Sequence, residues 1–206
     1  MTGPNGSGKT TQGRALAGMQ NRQYVDMSRL LKIGMSFLPG FENSVASIMS
    51  DGGMVPDDLL MQPLGHYFKT LPNGEPIVCS GVPRTANQVD PFISLAEKWI
   101  GISSFVAVNL NLPAKLAIAR CKSRAEKDRA GGKTPRPDDL NEDVIRKRLA
   151  LYEENRRALF EALASRGAEI VDVECDDDPQ VTFSRMVRGL GVENELFIRP
   201  LLVAEK

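Results

Sequence analysis

Apolar positions along the chain fall into two alternating rhythms. Compact apolar runs read as buried strands: Pro76-Ile77-Val78-Cys79-Ser80 closes at Gly81, and Ser104 to Leu110 is the clearest. Gln23 to Met27 is a short strand candidate, and Ala168 to Val173 is the last strong one. Between these runs, apolar residues recur at helical spacing. The first helix runs from Gly8 to about Met19. Ser28 can cap the next, which carries Leu30, Leu31 and Ile33. Further helices are predicted over Phe41 to Met49, Asp57 to Leu71 (with Pro63 as a kink), Ala86 to Trp99, and Pro179 to Leu190. One helix after Pro113 is expected to turn Leu116, Ile118 and Ala119 inward. A long one from Glu142 to Ala164 presents Val144, Ile145, Leu149, Tyr152 and Leu159. Pro39-Gly40 and Asp51-Gly52-Gly53 are turns, and Gly131 to Pro135 is a polar excursion. Beyond Gly191 the pattern leaves open whether Phe197-Ile198 and Leu201-Leu202-Val203 pair, pack or hang free. Strand alternating with helix predicts an α/β fold with a parallel sheet between two helical layers. A length of 206 residues, with no repeat and no long linker, fits one domain.

The chemistry begins at the N-terminus. Gly3-Pro4-Asn5-Gly6-Ser7-Gly8-Lys9-Thr10 has the spacing of a phosphate-binding P-loop and opens a helix that continues through Thr11. In such a loop backbone N–H groups surround phosphate oxygens, the lysine (Lys9) reaches the terminal phosphates, and the hydroxyl (Thr10) faces Mg²⁺. The helix N-terminus adds favourable positive potential. The segment predicts binding of a nucleoside triphosphate.

Composition narrows the partners. Lys and Arg total 26, as do Asp and Glu, so zero net charge argues against a broad nucleic-acid or membrane-binding surface. Cys79, Cys121 and Cys175 are odd in number and form no C-x-x-C pair, and His66 is the only histidine, so no zinc site is indicated. No apolar run has membrane-spanning length, and the expected location is the cytoplasm.

The P-loop with Thr11 also resembles that of ABC-type ATPases, but the L-S-G-G-Q segment and the apolar strand ending in Asp-Glu that this reading needs do not occur. From Gly3 to about Thr182 the chain instead resembles adenylate kinase and its nucleoside monophosphate kinase relatives. Met27-Ser28-Arg29-Leu30-Leu31-Lys32 stands where that family has a Thr-Gly-Asp-Leu-Leu-Arg type segment. Gly53-Met54-Val55-Pro56-Asp57-Asp58 is similar to its G-x-L-V-P-D-E turn, and Gly81-Val82-Pro83-Arg84-Thr85 with Gln88 to its G-F-P-R-T…Q signature. Arg120 and Arg124 match an R-x-x-x-R on one helix face, Arg136-Pro137-Asp138-Asp139 a lid hinge, and Arg148 to Tyr152 the returning helix.

The resemblance implies ATP and Mg²⁺ as cofactors and a nucleoside monophosphate, AMP favoured, as acceptor. It implies that Gly3, Asn5, Gly6, Ser7, Gly8, Lys9, Thr10, Thr11 and Arg120 hold ATP. Met27, Lys32, Met54, Val55, Gly81, Arg84 and Gln88 would bind the acceptor, Gln88 at its base. Lys9, Arg84, Arg120, Arg124, Arg136 and Arg148 would carry the transfer, because a loose transition state spreads negative charge that fixed cations stabilise. Guanidinium suits this work, staying charged and gripping two oxygens at once. The implied organisation is a core (1–27, 61–119, 141–190), a monophosphate-binding insert (about 28–60), a short lid (about 120–140) and an extension (191–206), acting as a monomer. A CMP or UMP kinase, or a relative that binds nucleotide without turnover, stays open.

Four departures stand against the family pattern. Ser80 occupies the place of an aspartate that organises Mg²⁺, which leaves only a hydroxyl acting through water. Met27 replaces a threonine and Lys32 an arginine, and Leu140 adds a residue after the Asp138-Asp139 pair. Only Met1-Thr2 precede Gly3, where the family has a central apolar strand. A late-assigned start or a truncated gene is expected, together with two strands left without a neighbour. An intact native mass equal to that of this chain would refute the late start.

Overall fold

Among the described residues, four short parallel strands carry the fold, in two hydrogen-bonded pairs. The computed structural model describes residues 1–37, 41–101 and 104–192, with the side chains of 36, 37, 41–44 and 50 outside the description. The chain runs α1 (Lys9–Met19), β1 (Gln23–Asp26), α2 (Met27–Phe37), α3 (Phe41–Ser50), α4 (Asp57–Phe68), β2 (Ile77–Ser80) and α5 (Val89–Ile100). It continues as β3 (Val106–Asn111), α6 (Ala114–Ala130), α7 (Glu142–Ser165), β4 (Glu169–Glu174) and α8 (Pro179–Gly189). Short 3₁₀ turns at Ala86–Gln88 and Pro137–Asp139 precede α5 and α7. The segment from Phe197 to Val203 lies outside the described residues.

β1 pairs with β2, placing Asp26 opposite Ser80, and β3 pairs with β4, placing Val108 opposite Val171. Met1 and Thr2 join the two pairs. The Met1 ammonium donates to the Cys79 carbonyl (2.5 Å), and the Thr2 N–H donates to the Val108 carbonyl (2.9 Å). Leu110 N–H returns a bond to the Thr2 carbonyl at 3.0 Å, so Thr2 bridges in parallel to Asn109. Burial pushes the pKa of that ammonium down. One continuous sheet is thus replaced by two pairs bridged at their C-terminal ends. No described strand fills the space below Met1. There Val106 is 49% exposed, although Val108 and Leu110 on the same strand are buried.

Apolar faces fill both sides. Leu16, Val108, Leu110, Cys121, Ile145, Val173 and Met186 form one cluster. Val25, Met27, Leu31, Val45, Leu60, Leu64 and Phe68 form a second around α2 and α4. Each such large side chain contributes roughly 1.5–3 kcal/mol on burial.

Several local expectations change. Asp26, not Ser28, caps α2: its Oδ1 accepts from the N–H groups of Ser28 (3.0 Å) and Arg29 (3.4 Å), so the helix starts at Met27. α4 continues through Pro63, which is buried, and ends at Phe68. α6 buries Ala117, Cys121 and Ala125, while Leu116 faces outward. The buried face is small because the P-loop backbone packs directly on it: a Cβ at Gly6 would lie 2.9 Å from the Ala117 carbonyl oxygen.

Candidate active site

Backbone geometry makes the P-loop a cradle. Gly3, Gly6 and Gly8 have φ of +145°, +80° and +89°, a region that L side chains avoid. At Gly3 a Cβ would stand 2.7 Å from the Leu110 carbonyl oxygen, so the loop is pressed against β3. α1 opens immediately after Gly8, and its first N–H groups lack intrahelical partners. Within the loop, Ser7 Oγ and Asn5 Nδ2 are buried with no hydrogen-bond partner. Unmet polar atoms of this kind cost about 1–3 kcal/mol each, and phosphate oxygens could satisfy them.

Lys9 folds back on its own loop, Nζ donating to the carbonyls of Gly3 (2.8 Å) and Pro4 (2.7 Å). Burial, reinforced by the charges of Arg84, Arg148 and Arg124, pushes its pKa down to about 7. Lys9, Arg84 and Arg148 line a cavity of about 50 Å³ with the P-loop on one side and the Gly52–Met54 turn on the other. Three cations therefore line a space holding no carboxylate of its own among its described lining residues, and the charge of a fourth, Arg124, is felt at Lys9. Such a site is built for an anion.

Each arginine is held in place. Arg84 Nε donates to the Gly81 carbonyl (2.9 Å), and Arg84 N–H donates to Gln88 Oε1 (2.8 Å). Gln88, fully buried, passes the connection on by donating to Asp57 Oδ1 at 2.7 Å. Arg124 makes a bidentate pair with Asp139, both contacts 2.7 Å, and the Asp139 side chain is 0% exposed. Arg148 pairs with Asp138. The turn before Met54 closes on α7: Lys147 Nζ donates to the Asp51 carbonyl (3.1 Å), and a Cβ at Gly52 would lie 2.9 Å from both Arg148 Cγ and Val144 Cγ1.

No protein-family model matches the chain. Among curated proteins, it is 30% identical to the adenylate kinase of Deinococcus radiodurans, an alignment spanning 91% of this chain and 93% of that protein. The chain belongs to the adenylate kinase family. The adenylate kinases of Deinococcus deserti (27% identical, 91% and 93% covered) and Nitrobacter winogradskyi (26% identical, 96% of each) are also similar to it.

This adenylate kinase family member gathers some of the expected residues and separates others. Lys9, Arg84, Arg124 and Arg148 share one electrostatic environment, and the exposed Arg136, just before the Pro137–Asp139 turn, acts on Arg148. Arg120 points elsewhere, donating to the carbonyls of Cys175 (2.7 Å) and Asp177 (3.0 Å) after β4. Met54 lines the cavity, whereas Val55 and Met27 are buried in the cluster around α2 and Lys32 is exposed on that helix. Gly81 (φ +84°) makes the turn that lets Arg84 double back. Thr11 lies on the exposed side of the first turn of α1.

The residues about Thr10 suit a hard cation. Thr10 Oγ1 donates to Asp26 Oδ2 at 3.4 Å, and the hydroxyls of Tyr24 and Ser80 are hydrogen-bonded at 2.6 Å. Oxygen donors alone are what Mg²⁺ prefers. The described residues contain no group of three or more His, Cys, Asp or Glu that could hold a metal.

Residue patterns did not single out Asp26 or Tyr24, and they carried Asp57 and Tyr152 only as members of longer matched segments. Each enters through strand register or a contact distant in sequence. A larger groove of about 640 Å³ runs along the outer edge of β1 between α2 and α4, beside Arg29, Ile33 and His66. It touches no P-loop residue. No described helix is long and apolar enough to cross a membrane.

Proposed function

We propose that the chain is an ATP-dependent nucleoside monophosphate kinase that transfers the γ-phosphoryl group of ATP to AMP, giving two ADP. The observation carrying this reading is the convergence of Lys9, Arg84 and Arg148 on one small cavity between the P-loop and the Gly52–Met54 turn, with the charge of Arg124 felt at Lys9. A P-loop that only binds nucleotide has no need of guanidinium groups brought in from three other segments. Transfer between two polyanions does need them.

In this reading the P-loop amides, Ser7 and Asn5 take the donor phosphates, and Lys9 exchanges its carbonyl partners for phosphate oxygens. Arg84 holds the acceptor phosphate, and Gln88, which keeps one N–H after donating to Asp57, meets the acceptor base. An acceptor oxygen attacks the γ-phosphorus in line while the bond to the β-bridging oxygen breaks and ADP leaves with that electron pair. No general base is required, since the acceptor phosphate is already anionic. Arg124, Arg136 and Arg148 stabilise the charge on the equatorial oxygens, and Arg120 borders the donor nucleotide. Mg²⁺, when bound, would neutralise β- and γ-phosphate charge.

A cavity of about 50 Å³ has room for a few waters but not for two nucleotides. Substrate entry therefore requires the insert (28–60) to lift from α7 and the lid (120–140) to open, and closure then excludes water that would hydrolyse ATP. The test is a coupled assay with ATP, Mg²⁺ and each monophosphate in turn. Turnover with AMP is expected. Turnover confined to CMP or UMP would reassign the acceptor, and ATP binding without any turnover would refute the kinase reading.

A further inference from the structure

We propose that Asp26, at the C-terminal end of β1, is the carboxylate that secures Mg²⁺ at this P-loop. The inference rests on the reading above that a metal–nucleotide complex binds here. In a P-loop the Ser/Thr hydroxyl after the lysine faces the metal, and that hydroxyl, Thr10 Oγ1, contacts Asp26 Oδ2 at 3.4 Å. Adjacent oxygens in an octahedral Mg²⁺ shell stand about 3 Å apart, so the pair needs little movement to share an ion, directly or through its water.

The two carboxylate oxygens of Asp26 have separate tasks. Oδ1 caps α2 through Ser28 and Arg29, which fixes the side chain and leaves Oδ2 turned to Thr10. Strand register explains the position. Asp26 pairs with Ser80, so it ends β1 level with the residue that ends β2. Ser80 itself is 3% exposed, uncharged, and hydrogen-bonded to the Tyr24 hydroxyl at 2.6 Å. The other carboxylates of the site are committed: Asp138 to Arg148, Asp139 to Arg124, and Asp57 to Gln88. Mg²⁺ in phosphate sites takes one or two carboxylates, and Asp26 is the one at hand.

Asp26→Asn separates the two tasks, because it keeps the Oδ1 acceptor for the cap and removes only the charge. ATP binding to the full chain is measured calorimetrically with excess Mg²⁺ and again in EDTA. With Mg²⁺ the variant is expected to bind ATP about tenfold or more weakly than the parent. In EDTA it should bind as tightly or more tightly, because a carboxylate facing phosphate repels it when no metal intervenes. Opposite responses in the two arms support a metal role, which a merely structural residue would not produce. Equal weakening in both arms, or an unchanged Mg²⁺ arm, would overturn the proposal. Should Asp26→Asn fail to fold, Asp26→Ser, which still offers a capping oxygen, carries the same comparison. If the parent chain binds no ATP in either arm, the nucleotide reading itself fails. Normal ATP binding with an unaltered Mg²⁺ effect in the variant removes only Asp26.

Discussion

Lys9 makes the nucleotide-free protein sensitive to pH in a direction that can be worked out beforehand. Its pKa falls from an ordinary 10.5 to about 7 in the folded chain, first through burial and then through Arg84, Arg148 and Arg124. Below pH 7 the ammonium is charged in both folded and unfolded states, and the fold bears the full cost of holding it. As pH rises from 7 towards 10.5 the folded state has released the proton while the unfolded chain still carries it, so stability rises through that window. Each unit of pH across which the two states differ by one proton is worth about 1.4 kcal/mol. Going from pH 7 to pH 9, with the folded group passing from half to almost no protonation, therefore stabilises the protein by at most about 2 kcal/mol.

The perturbation is Lys9→Met, which keeps the bulk and removes the charge. Urea unfolding of both proteins at pH 7 and pH 9 gives the comparison, since all other titrating groups are common to the pair. The parent is expected to gain up to about 2 kcal/mol over the variant between the two values. Saturation with a non-hydrolysable ATP analogue should erase the parent's advantage, because phosphate keeps Lys9 charged at both. Identical pH dependence in parent and variant would refute the account of Lys9 as a cation held among cations. Phosphoryl transfer should be abolished in the variant at either pH.

Gly52→Ala places a Cβ where Arg148 and Val144 lie at 2.9 Å and strains a left-handed residue (φ +69°), whereas Gly74→Ala imposes a similar φ strain (+78°) with nothing within 4 Å. Steady-state kinetics should show acceptor KM raised about tenfold or more in the first and unchanged in the second, a difference of roughly 1.4 kcal/mol; equal effects would mean that docking of the turn on α7 is irrelevant. Arg124→Ala strands the buried Asp139 carboxylate, so urea unfolding should show a loss of about 3–5 kcal/mol, alongside a fall in kcat of roughly 10³. Adding Asp139→Asn should restore much of the stability but not the turnover, and recovery of both together would confine Arg124 to anchoring the lid.

The P-loop could be read from sequence because its chemistry is local: three glycines at fixed spacing set the left-handed turns, and the helix that follows supplies the amides. Element order was legible for the same reason, as helical and strand spacing depend on neighbours a few residues away. Spacing also placed Arg120 and Arg124 on one helix face, yet they diverge, one to the carbonyls after β4 and the other to Asp139. A helix face says nothing about which segment covers it. For α6 the covering segment is the P-loop backbone, so alanine and cysteine are buried and Leu116 is left outside. Tertiary structure alone decided that Asp26 stands level with Ser80, that Gln88 ties Arg84 to Asp57, and that Gly52 closes on Arg148. Apart from the Arg84–Gln88 bond, four positions apart, these contacts join residues 31 to 96 positions apart, or pair two strands in register. Local dihedral preferences dictate the cradle, but only long-range burial and strand pairing bring charged side chains to it.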